Sequence, residues 1–113
     1  MVHKDQATEA IQVLAKIRKI WSLKVEAQLH IEKNLRLLFS SKESLEEVFR
    51  EPRTSENAAY LDAAEEAWKS SIEAHEISIE AFQMDLQDYD EEIQDILREH
   101  LEVNPGLQSE RSH

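Results

Sequence analysis

From Asp5 to Phe39 the chain has no Pro or Gly, and its apolar residues recur at alternating spacings of four and three. That reading passes through Ala10, Leu14, Ile17, Trp21, Lys24, Gln28, Ile31, Leu35 and Leu38. One polar break, at Lys24 and Gln28, interrupts it. Such a stripe predicts an amphipathic helix over residues 5–39. Val13, Ile20 and Ala27 flank the stripe and widen it, as expected of a helix with more than one neighbour.

Ser40, Ser41 and Ser44 then interrupt the apolar run. Ser40 with Glu43, and Ser44 with Glu47, have capping-box spacing, in which a hydroxyl and a carboxylate satisfy free amides at a helix start. The spacing predicts a short helix over 42–51 with Leu45, Val48 and Phe49 on one side. Pro52 ends it, because proline removes an amide donor and restricts the residue before it. Thr54 or Ser55 can cap the next element.

The third predicted helix, 55–103, carries the longest pattern. Thirteen seam positions from Leu61 to Val103 keep one phase, and ten are apolar, Glu65, His75 and His100 being the exceptions. A sustained seven-residue repeat is the pattern of coiled-coil packing. Asn104-Pro105-Gly106 stops the helix, and 104–113 reads as a flexible tail.

These elements predict an all-α fold, a long antiparallel helical hairpin with a short helix at the turn. Folding near residues 40–55 places Leu38 beside Leu61 and Lys24 near His75. In that register the third helix overhangs the first beyond Tyr89. Ile93, Ile96, Leu97 and Leu101 are then left without cover, at a cost of about 1.5–3 kcal/mol for each large side chain. Self-association into a dimeric four-helix bundle relieves that cost.

Composition narrows the chemistry. The 113 residues include one Gly, two Pro and no Cys, which argues against hairpin-rich sheets, disulfide scaffolds and thiolate catalysis. No apolar run reaches membrane-spanning length, and MVHKDQATEA lacks a signal-peptide core, so a cytoplasmic protein is expected. The formal charge of −11 disfavours direct binding to nucleic acid or to anionic membranes. That charge is divided unevenly. Residues 1–40 hold seven basic and four acidic residues, a net of +3; residues 41–113 hold six and twenty, a net of −14. The asymmetry favours pairing the first helix with the acidic one.

Glu73-x-x-Glu76 followed by Glu92-x-x-Asp95 is the one pattern suggestive of an enzyme. Two carboxylate pairs at helical spacing can hold Mg²⁺ against nucleotide phosphates if they face each other. Residues 73–95 thereby resemble the E-x-x-E…E-x-x-D arrangement of the all-α MazG-like nucleotide pyrophosphohydrolases. The resemblance implies metal binding by Glu73, Glu76, Glu92 and Asp95. The heptad phase, however, passes through Phe82, Leu86, Tyr89 and Ile93 without a shift. An uninterrupted helix would keep Glu73 and Asp95 about 33 Å apart.

No His follows a Glu by three residues, so ferritin-like ligand spacing is missing. The sole glycine, Gly106, rules out a Gly-rich phosphate loop. Acidic residues concentrated over 85–99 could also imitate nucleic-acid phosphates as an inhibitor of a basic enzyme. The favoured expectation is a non-enzymatic protein–protein interaction module with no cofactor and no resident metal. Its partner is itself or another protein, and its surface is formed by Ile93, Ile96, Leu97, Leu101, Asp88, Glu92 and Asp95.

Overall fold

The computed structural model describes residues 2–103. They form two helices, α1 over Val2–Arg50 and α2 over Ala58–Val103. The tail expected at 104–113 lies outside the described residues. The separate short helix expected over 42–51 does not form: α1 continues through Ser40, Ser41 and Ser44 to Arg50. Serine costs a helix interior only a few tenths of a kcal/mol relative to alanine. Ser41 is also buried, and its hydroxyl lies 3.0 Å from that of Ser71 on α2. That partner keeps the serine in the helix and removes its incentive to cap a new one.

The turn therefore lies at 51–57. Glu51 N donates to the carbonyls of Glu47 at 3.2 Å and Val48 at 3.3 Å, which closes the last turn of α1 before Pro52. Thr54 caps α2. Its backbone N–H donates to Asn57 Oδ1 at 2.7 Å, and Asn57 N–H donates back to Thr54 Oγ1 at 3.2 Å. This reciprocal arrangement has the logic of a capping box with an amide in the acidic residue's place. Asn57 Nδ2 also donates to the Pro52 carbonyl at 3.0 Å. Thr54→Ala should accordingly lower stability by about 1 kcal/mol in urea titration.

The chain divides into two compact units. One takes α1 as far as Glu26 together with α2 from Asp85 onward; the other comprises Ala27–Met84. In each unit α1 and α2 pack against each other in antiparallel directions. In the first, Lys24 forms an ion pair with Asp90, and His100 Nδ1 lies 3.7 Å from Glu9 Oε1. In the second, the His30 ring stacks on Phe82 with centroids 4.8 Å apart, and Asn34 meets His75.

These pairs correct the expected register. Lys24 lies opposite Asp90, not His75, and Leu38 is not beside Leu61. Moving the turn to 51–57 slides α2 along α1 by about two heptads, which preserves the phase of both stripes while changing every partner. The overhang disappears as well: Ile96 sits in a groove with Val13 and Lys16 of α1, and in another with Ile20 and Leu23.

The seam of α1 also differs from the predicted one. Its less exposed positions run Ala10, Val13, Ile17, Ile20, Lys24, Ala27, Ile31, Asn34, Leu38, Ser41, Leu45 and Val48. Leu14, Trp21, Gln28 and Leu35, assigned to the seam from the sequence, face solvent instead. On α2 the predicted seam holds from Leu61 to His100. The most buried hydrophobics among the described residues are Ile20, Ala27, Leu61 and Ile79.

Candidate interaction surface

Polar groups inside the second unit are matched with care. His75 Nδ1 lies 3.1 Å from Asn34 Oδ1, and Asn34 Nδ2 donates to the His30 carbonyl at 2.8 Å. Among the described residues, no buried side-chain nitrogen or oxygen lacks a partner. The polar layer around Asn34 and His75 is thus a satisfied register device and not a set of free ligands. His75 and His100 both lie on the seam, as the sequence implied, and His75 meets Asn34 where Lys24 was expected.

The carboxylates do not converge. α2 runs without a break from Ala58 to Val103, so the turn that would bring Glu73 and Glu76 toward Glu92 and Asp95 does not exist. The first pair belongs to one unit and the second to the other. Asp95 instead accepts from Arg98 Nη1 at 3.2 Å. Among the described residues, no group of three or more His, Cys, Asp or Glu gathers as metal ligands.

Of the residues expected to bind a partner, Ile93, Ile96, Leu97 and Leu101 are half-buried, while Asp88, Glu92 and Asp95 are exposed. The apolar members are therefore partly covered by the hairpin itself. A different apolar surface stands open. In the first unit, α1 exposes Ile11, Leu14, Trp21 and Val25; in the second it exposes Leu29, Leu35, Phe39 and Phe49. Trp21 is 51% exposed, Leu14 57% and Phe39 66%.

These residues follow their own alternation of three and four, one position after the buried seam. Ile11, Leu14, Trp21 and Val25 fall on it, and so do Leu35, Phe39 and Phe49. α1 thus carries two apolar stripes, one toward α2 and one about 100° round the helix from it. The sequence contained this signal, since Val13 and Ile20 compete with Leu14 and Trp21 for one description. Reading a single stripe merged halves of both.

The outer stripe has local chemistry of its own. Arg18, Trp21, Ser22 and Val25 line a shallow notch. Lys24 Nζ lies 4.3 Å from the centroid of the Trp21 ring while it pairs with Asp90. This cation–π contact holds the indole in place on the outer face. In comparison with protein families, curated proteins and solved structures, the chain has no match. Among the described residues, no helix is long and apolar enough to cross a membrane.

Proposed function

We propose that the chain is a protein–protein interaction module, a small cytoplasmic adaptor or regulator that works as a homodimer and carries no chemistry of its own. The observation that supports this reading is the outer stripe of α1. Single exposed hydrophobics are ordinary on protein surfaces, but a periodic row rimmed by charged residues marks a place where another helix packs. A hairpin of two helices covers one stripe on each, and α1 carries a second that needs cover. Closing it with a second hairpin gives a four-helix core, the arrangement that short helical chains most simply reach by two-fold symmetry.

Sedimentation velocity between about 1 and 100 μM tests this, that being the range in which a modest dimer forms. The expected result is a concentration-dependent shift from monomer to dimer. A monomer throughout, or a Mg²⁺-dependent hydrolysis of nucleoside triphosphates that Glu92→Gln abolishes, would overturn the reading, the second outcome in favour of a pyrophosphohydrolase.

A further inference from the structure

We infer that the cleft beside the turn, wholly within the second unit, is a docking site for an arginine side chain presented by a partner protein. This goes beyond the dimer reading, since it concerns another surface and stands whether or not the chain self-associates. The cleft measures about 490 Å³, within the ~300–1,000 Å³ usual for a ligand site. Its floor is apolar, made by Val48 of α1 with Leu61 and Ala64 of α2, and Leu61 is only 3% exposed. Half-buried Trp68 and the exposed ring of Tyr60 stand on the α2 side. Glu47 and Glu51 stand on the α1 side, one helical turn apart, with Glu51 N–H bonded to the Glu47 carbonyl.

Charge decides what such a cleft can hold. Residues 43–68 include eight acidic and two basic residues, a net of −6. The flanking cations are already engaged: Arg50 with Glu46, Arg53 with Asp62 and Lys69 with Glu65. None of those six residues lines the cleft. Glu47 and Glu51 are its only charged lining residues, and among the described residues neither carboxylate has a hydrogen bond or ion pair. α1 ends and α2 begins at this turn, so the dipole ends there are of opposite sign and largely offset each other. The side chains therefore set a negative potential, complementary to a basic partner.

The lining narrows the cation further. Two carboxylates are too few for a dedicated metal cage, and among the described residues no larger group of ligands gathers. Aromatic faces attract organic cations, and carboxylates accept their N–H groups. A guanidinium uses both features: it is planar, stacks on a ring, and presents N–H edges to carboxylates. It is also less strongly hydrated than an ammonium, which suits an apolar floor.

The test uses the full chain, nitrogen-labelled, with the blocked tripeptide leucyl-arginyl-leucine as probe. The indole N–H signals of Trp68 and Trp21 are told apart with Trp21→Phe. On titration the Trp68 signal should move saturably, with Kd of about 1 mM or tighter, while that of Trp21, in the other unit, stays. Replacing arginine by neutral citrulline should weaken binding about tenfold, and by lysine about threefold. Glu47→Gln combined with Glu51→Gln should weaken it about tenfold; both positions are exposed, so the fold survives. Glu76→Gln combined with Glu80→Gln removes equal charge at the same spacing. It lies more than about 10 Å beyond Trp68 along α2 and should change binding less than about twofold. No saturable shift, equal binding of the citrulline peptide, or both indole signals moving in step overturns the inference. A lysine peptide that binds as tightly overturns the choice of guanidinium. If the Glu47 and Glu51 variant loses a dimer that wild type forms, a second copy fills the cleft and the assignment to a partner fails. A monomer that binds the peptide refutes only the dimer reading, and a dimer that does not bind it refutes only this inference.

Discussion

Lys42→Pro should lower the unfolding free energy by about 3 kcal/mol, the cost of proline in a helix interior. Lys42 is exposed, so its side chain contributes little packing that the substitution could remove. The cost arises in the backbone. Proline at 42 deletes an amide donor that an unbroken α1 aims at the Leu38 carbonyl, and its ring collides with that carbonyl. If a new helix began after a Ser40 cap, residue 42 would lie in its first turn, where the amide has no intrahelical partner and proline is tolerated. The same substitution would then cost a few tenths of a kcal/mol at about the level of a surface change. Lys42→Ala serves as the control and should be near neutral. Urea unfolding followed by circular dichroism separates the two cases.

The position of the turn was the least legible part of the fold, and the reason lies in the serines. S-x-x-E occurs twice between Ser40 and Glu47, and capping boxes have that spacing. A capping signal, however, acts only where the backbone leaves the helix. The deeper pattern runs Leu38, Ser41, Leu45 and Val48 with no change of phase, so burial against α2 continues across the serines. Ser41 fits that seam because Ser71 answers it from the other helix. A cross-helix hydrogen bond between residues of different elements leaves no trace in local spacing. Pro52, Thr54 and Asn57 were a better guide, since proline acts on the backbone wherever it stands.

Much of α2 was legible, for a related reason. Its seam is apolar at most positions and its outer face is acidic, so one phase describes it and the buried residues follow. On α1 the contrast is weaker. Val13 and Leu14, and Ile20 and Trp21, are adjacent apolar pairs, and either member fits a three-four alternation. Size misleads here: Trp21 and Leu14 are larger than Ala27 and Val13, and the larger residues attract the assignment. The smaller ones lie in the seam. A turn at 40–55 instead of 51–57 sets a register in which Ile93 and Ile96 overhang, and the overhang vanishes with it.

Ile20→Ala should cost 2–5 kcal/mol, whereas Leu14→Ala in the monomer should cost less than about 1 kcal/mol. Ile20 is 6% exposed and shares its groove with Leu23 and Ile96, so removing three carbons leaves a gap that rigid helix neighbours fill only in part. Leu14 is 57% exposed, and truncating it removes side chain that already stands in water. If the seam ran through Leu14 and Trp21, the order of the two effects would reverse, and thermal or urea unfolding at high dilution would show it. Concentration adds a second comparison. Anything that binds only the folded chain stabilises it by mass action, so a dimer seam on the outer stripe makes the midpoint rise with protein concentration. Leu14→Ala should flatten that dependence while leaving the dilute limit nearly unchanged. Ile20→Ala should lower the dilute limit itself, because it acts inside the hairpin before any second copy arrives.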